Sequence, residues 1–223
     1  MKLNKMCLSL LACGVFYSAP SMSAFTLTFE GVGNSANVND FYNGGTDSQG
    51  NSGTNYGISF NGPTLGLIDE DAGGNGNFAN EPSPNTIMFF QDADHAIMNM
   101  SAGFSTGFSF WYTSATNATV NVYDGLNGTG TLLASLNLNA QYADSCGGDP
   151  SGDFCNWTAV GVGFSGIAHS IDFGGTASLT GYDNITFGSD TPTPPVPEPE
   201  TYAMLLIGLG LLGFATRRRK QNI

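Results

Sequence analysis

The central part of this sequence predicts an all-β fold, an antiparallel sandwich of two sheets. Three observations lead there. From Phe25 to Gly188, short apolar or alternating stretches are separated by turn residues, which is the signature of half-buried strands. No amphipathic helical stretch of useful length occurs in that interval. Gly and Asn are abundant while charged residues make up only 11% of the chain, so uncharged polar loops join the apolar stretches, as in extracellular β-proteins.

The strands follow in order. Phe25-Thr26-Leu27-Thr28-Phe29-Glu30 alternates cleanly, and Ile58 to Phe60, Thr64 to Ile68, Thr86 to Phe90 and Ala96 to Met100 fill the first half. Phe104, Phe108, Phe110 and Tyr112 mark another strand. Thr119 to Tyr123 alternates, Asp124 to Gly130 turns the chain, and Thr131 to Leu138 returns as a hairpin partner. Trp157 to Phe164, Ala168 to Phe173 and Tyr182 to Phe187 complete the set. About ten strands without helices imply a jelly-roll-like sandwich. The first and last strands would close it by pairing.

Charge divides the chain. The six basic residues are Lys2, Lys5, Arg217, Arg218, Arg219 and Lys220, and none lies between Met6 and Thr216. All 18 acidic residues fall inside that interval. Nucleic-acid binding needs Lys or Arg to displace condensed counterions, so the domain is no nucleic-acid binder. It cannot form Lys or Arg salt bridges either. Its carboxylates must be solvated, hydrogen-bonded or bound to metal ions.

The ends read as addresses. Residues 1–24 have the form of a signal peptide: Lys2 and Lys5, the apolar run Met6 to Tyr17, then the small residues Ser21-Met22-Ser23-Ala24, with cleavage after Ser23 or Ala24. Leu10-Leu11-Ala12-Cys13 loosely matches a lipoprotein box, but cutting there would leave a very short apolar core. Residues 25–189 form the β-domain. Residues 190–200 are a Pro-rich linker, which cannot pack as helix or central strand. Residues 201–216 carry the apolar run Tyr202 to Ala215, expected as a single transmembrane helix. Residues 217–223 hold the basic cluster, which the positive-inside rule places in the cytoplasm. The preceding domain then lies outside.

Val196-Pro197-Glu198-Pro199, a short Gly/Leu-rich helix and the cluster Arg217-Arg218-Arg219 in this order resemble the PEP-CTERM sorting domain of Gram-negative bacteria. The resemblance implies that Pro197, Glu198 and Pro199 are a recognition motif. It implies as partner an exosortase, a membrane transpeptidase that processes the tail. It also implies association with exopolysaccharide, with final residence at the cell surface or in the extracellular matrix. Glu200 stands where Ser or Ala is common in the family. The opening and closing strands resemble, more loosely, jelly-roll domains found in such proteins and in some carbohydrate-binding modules.

Cys146 and Cys155 are the only cysteines left after signal removal, and an even pair in an exported protein implies a disulfide. Asp69, Asp71 and Asn75 sit in Asp69-Glu70-Asp71-Ala72-Gly73-Gly74-Asn75 like the start of a calcium loop, without the oxygen ligand at position five or the Glu at twelve of an EF-hand. Glu30 and Asp183 form a second candidate pair if the terminal strands are neighbours. Calcium is the cofactor such carboxylates would take.

Gly103-Phe104-Ser105-Thr106-Gly107 matches G-x-S-x-G, but a strand pattern follows where a hydrolase needs a helix, so the stretch reads as a strand with a Gly bulge. Nothing places His95 or His169 near Ser105. Asp92 with Asp94, or two of Asp69, Glu70 and Asp71, could form a glycosidase pair, yet Trp111 and Trp157 sit in strand patterns as core residues would. The expectation is a non-catalytic envelope or matrix protein. A carbohydrate-binding module with structural calcium is the alternative, and a glycoside hydrolase or esterase the third.

Overall fold

A computed structural model describes residues 23–141, 146 and 152–195. The signal peptide up to residue 22, the sorting motif, the apolar run and the basic cluster lie outside these residues. Among the described residues no helix is long and apolar enough to cross a membrane.

The described residues form nine strands: β1 (Phe25–Leu27), β2 (Ile58–Phe60), β3 (Thr64–Ile68), β4 (Thr86–Phe90), β5 (His95–Ser114), β6 (Ala118–Tyr123), β7 (Leu132–Leu138), β8 (Thr158–Gly174) and β9 (Thr180–Phe187). All pairings are antiparallel. The order is β3-β4-β9-β5-β8-β6-β7, with β1 on β9 and β2 on β5. The terminal strands pair as expected, Phe25 opposite Phe187 and Leu27 opposite Ile185.

Hydrogen bonding joins all the strands in one network, where the sequence suggests two separate sheets. The cause is the length of β5 and β8. Each absorbs two of the expected strands and runs for 20 and 17 residues. Their interruptions are bulges rather than turns. Gly103 and Thr106 adopt φ of 73° and 76°, and the β5–β8 register shifts on either side of Phe104. Bulged strands bend without leaving the sheet. The first half of β5 therefore pairs with β2 and with Ser170 to Gly174, which also carry β6. The second half pairs with Thr158 to Phe164 and with β9.

The two halves face each other across one core. Phe173, in the first half, meets Phe108, Phe110 and Tyr182 of the second, with ring centroids 5.8, 5.9 and 5.0 Å apart. Phe104, at the bend, packs edge-on to Phe187 at 5.0 Å. β6 shows the expected alternation, with Ala118, Val120 and Val122 buried. Burial of such side chains supplies the main stabilisation.

The long Gly/Asn-rich stretch before β2 caps this core instead of lying free of it. Phe29, Val32, Ala36, Val38, Phe41 and Tyr42 are all buried in the main cluster. Asp47 holds the cap together and is only 4% exposed. Its carboxylate accepts hydrogen bonds from the N–H groups of Gly33, Gln49 and Asn51 and from the Asn51 side-chain amide, at 2.8–2.9 Å. Desolvation pushes its pKa up, but these donors outweigh it and hold the group below the usual range.

A smaller cluster of Phe78, Ile87 and Phe154, flanked by Trp157, lies under the Cys146–Cys155 disulfide. Phe154 is pinned by hydrogen bonds from its N–H to the Asn77 carbonyl and from the Ala79 N–H to its own carbonyl. A bridge closing so short a loop stabilises by about 2–3 kcal/mol through the unfolded state.

Candidate functional site

Pairing of β1 with β9 brings Glu30 and Asp183 to one end of the sheet, as the sequence suggests. Phe29 and Gly31 have φ of 62° and 90°, so the chain turns sharply around Glu30. Asp183 lies beside a bulge in β9, where the register on β5 slips between Ser109 and Trp111. Asp183 is fully buried and Glu30 is half-buried.

Ser83 links the two acids, a role with no signal in the local residue pattern. Its N–H donates to Asp183 Oδ2 at 2.7 Å. Its hydroxyl oxygen lies 2.8 and 2.9 Å from the Asp183 carboxylate oxygens, 3.0 Å from the Thr28 carbonyl and 3.5 Å from Glu30 Oε1. Asp183 also accepts from the Asn184 N–H at 2.6 Å, and Glu30 from the Thr86 N–H at 3.0 Å. One hydroxyl carries one proton, so it cannot serve all four acceptors. The cluster is short of donors.

Burial in this setting penalises charge. Desolvation raises Asp183 well above the carboxylate range; its hydrogen bonds oppose this, and Glu30 nearby adds to it. Desolvation likewise brings Glu30 up to about 7, against hydrogen bonds from Thr86 and Ser83. Tyr42, whose phenol oxygen accepts from the Phe29 N–H at 2.9 Å, is raised by burial and by both acids. Burial thus favours the protonated form of both acids, and a cation would offset the same penalty. Two carboxylates, a hydroxyl and a carbonyl are hard oxygen donors of the kind calcium takes. Asn184 is 1% exposed, and neither its amide oxygen nor its nitrogen has a hydrogen-bond partner. These residues fit a hard cation in chemistry. No group of three or more His, Cys, Asp or Glu side chains converges among the described residues.

The other candidate residues are placed differently. Asp69 is buried, while Asp71 and Asn75 are exposed on a turn that bonds mainly to itself, with the Gly74 N–H on the Asp69 carbonyl and the Asn75 N–H on the Ile68 carbonyl. Ser105 sits in the β5 bulge, and the strand continues to Ser114, so no helix elbow follows it. His95 Nδ1 is 3.8 Å from Asp172, and His169 Nδ1 is 2.8 Å from the Asp124 carbonyl. Neither tryptophan is a full core residue. Both are half-buried, with indole N–H groups donating to the carbonyls of Thr193 and Ala79. The exposed large hydrophobic residues are aliphatic: Leu126, Leu132 and Ile167.

A polar cleft of about 550 Å³ opens on the β5–β8–β6–β7 side. Asn121 faces Asp172 in the register, and Thr119 faces Asn137. These side chains, with His95, Asn117 and Asn139, line it.

Comparison with known proteins identifies the tail. The family model described as the PEP-CTERM protein-sorting motif matches residues 195–220. The chain thus carries a PEP-CTERM sorting tail, which marks an exported protein processed by an exosortase. No curated protein matches the sequence. Among solved structures, a family 6 carbohydrate-binding module aligns at 17% identity over 58% of this chain and 85% of its own, with a TM-score of 0.35. A glycoside hydrolase family 43 arabinoxylan arabinofuranohydrolase from Bacillus subtilis, in complex with cellotetraose, aligns at 21% identity over 46% of this chain and 21% of its own, with a TM-score of 0.31. Similarity at this level carries no functional argument.

The carboxylate pair makes stability depend on pH. Unfolded, both acids titrate near pH 4. Folded, both hold their protons to higher pH, so the folded state binds more protons between about pH 4 and 7. Stability then falls as pH rises through that window. In chelator, the urea midpoint of the wild-type domain should be lower at pH 8 than at pH 5. Glu30→Gln with Asp183→Asn should remove most of the difference. A wild-type midpoint that is higher at pH 8 would contradict the assignment.

Proposed function

We propose that the chain is a non-catalytic protein of the cell envelope or extracellular matrix, exported by a signal peptide and processed by an exosortase at its PEP-CTERM tail. The match at residues 195–220 carries this reading. The apolar run Tyr202 to Ala215 and the cluster Arg217-Arg218-Arg219 supply a membrane anchor with a cytoplasmic stop. The cargo is a jelly-roll-like sandwich, a reading supported by the sheet that folds over at the bulges of β5 and β8. Its acidic, uncharged-polar surface suits a hydrated polysaccharide environment.

Calcium at Glu30 and Asp183 belongs to the same proposal, because the cation offsets the charge that burial penalises.

Sugar binding is the second reading. The observation that favours it is the cleft around Asn121, Asp172 and Asn137, whose amides and carboxylate match the hydroxyl pattern of a saccharide. Catalysis is not needed to explain any of these groups.

Changing Pro197, Glu198 and Pro199 together to Ala should leave export intact and block removal of the tail. The protein would then stay membrane-bound. Wild-type processing of this variant would sink the motif assignment.

For calcium, the urea midpoint at pH 8 should rise in millimolar calcium more than in magnesium, and Glu30→Gln with Asp183→Asn should abolish the rise, since a ligand of the folded state stabilises by mass action. Equal midpoints in calcium and chelator would remove calcium from the account.

A glycan array tests the second reading. Submillimolar binding to a defined sugar, lost in Asn121→Ala, would establish the module. An array without binding would leave the matrix role alone.

A further inference from the structure

The segment that leads from β9 to the sorting motif does not hang free. It runs back over the outer face of the sheet, opposite the aromatic core. The Gly188 N–H donates to the Gly107 carbonyl at 2.9 Å. The Thr106 hydroxyl donates to the Gly188 carbonyl at 3.1 Å, and the Ser109 hydroxyl to the Ser189 carbonyl at 2.9 Å. Thr193 closes the contact. Its carbonyl accepts the Trp111 indole N–H at 2.9 Å, its N–H donates to the Thr186 hydroxyl at 3.2 Å, and its hydroxyl lies 2.6 Å from that of Thr26.

The sheet is shaped for this segment. Thr26, Thr186, Ser109 and Gly161 form one cross-strand row over β1, β9, β5 and β8. A Cβ at Gly161 would come within 2.0 Å of the Asp190 carbonyl oxygen, and one at Gly107 within 2.7 Å of the Asp190 nitrogen. Only glycine leaves room for the linker backbone at these two points. Ser109 and Thr186 are 0% and 4% exposed although they alternate with the core residues Phe108, Phe110, Ile185 and Phe187. Polar side chains on the outer face are buried there because residues 188–193 cover them. Pro192 is buried in the same contact.

We propose that residues 188–193 are a docked strap that ties the chain ahead of the sorting motif to the domain and slows its processing. This rests on the reading of the tail as an exosortase substrate. Pro197 follows Thr193 by four residues, a span of roughly 14 Å at full extension. A membrane enzyme must bind the motif as a stretch of free chain. With the strap docked, only this short tether separates the motif from the folded domain; with it released, the tether lengthens by the residues of the strap. Cleavage therefore draws on the undocked population, and each strap contact that is lost enlarges it.

The test uses the full chain and opens the strap from either side. Trp111→Phe removes the indole donor without altering the linker. Thr193→Ala removes the linker hydroxyl without altering the sheet. Amide hydrogen exchange of the full chain in detergent should show protection at Thr193 in the wild type. Exchange there should be about fivefold faster in each variant, the effect of one ordinary hydrogen bond, with core strands unchanged. In the native host, intact mass after a pulse of synthesis should show the tail removed correspondingly faster in both. Unprotected exchange at Thr193 in the wild type overturns the strap. Faster exchange with unchanged or slower processing in both variants overturns its role. Adding the Pro197, Glu198 and Pro199 substitutions to each variant separates the two claims. Continued processing there refutes the exosortase reading, while the exchange result still decides whether the strap is docked.

Discussion

A folded domain without a single Lys or Arg must satisfy its carboxylates by other means, and this constraint runs through the whole structure. Backbone amides take the place of cations. At Asp47, N–H groups of Gly33, Gln49 and Asn51 and the Asn51 side-chain amide converge on one carboxylate and lower its pKa. Asp124 likewise anchors the β6–β7 hairpin by accepting from the Thr131 N–H, and this lowers its pKa. The ion pair between His95 and Asp172 is long at 3.8 Å. Acidic residues here build turns.

The same constraint singles out Glu30 and Asp183. They are deep enough to be desolvated, and Ser83 cannot supply a proton to every oxygen around it. Asp47 and Asp183 therefore make a natural comparison within one chain. Both are almost inaccessible to solvent, yet at Asp47 four donors outweigh desolvation and lower the pKa, whereas at Asp183 desolvation outweighs the donors from Ser83 and Asn184 and raises it. The carboxylate at which desolvation wins is the one that answers to protons or cations.

Strand positions were legible in the sequence because alternation is a local signal. Ile58–Phe60, Thr64–Ile68 and Thr86–Phe90 come out at the expected residues. Continuity was only partly legible. The stretch at Gly103 reads as a strand with a Gly bulge, but Gly166 looks like a chain break, and there only the partner strand decides between bulge and break. For the same reason the stretch from Val32 to Tyr42 reads as polar loop, although its scattered apolar residues all enter the core. The Glu30–Asp183 pair could be inferred from closure of the terminal strands. Ser83 could not, because nothing in a Ser-Pro stretch marks a residue that will meet an acid 100 positions away. The linker looked like a spacer by composition. Its docking depends on glycines in β5 and β8 that carry no local message of their own.

The proposed processing would remove every Lys and Arg from the chain. All six basic residues lie in the segments assigned to signal peptide and sorting tail. The most direct measurement is the intact mass of the mature protein isolated from its own host, before and after trypsin. The account predicts a chain that begins at Ala24 or Phe25, ends near Pro197 to Pro199 with any added attachment, and contains no Lys or Arg, so trypsin leaves its mass unchanged. A mass that still includes Arg217 to Lys220, shortened by trypsin at the C-terminal end, would contradict it.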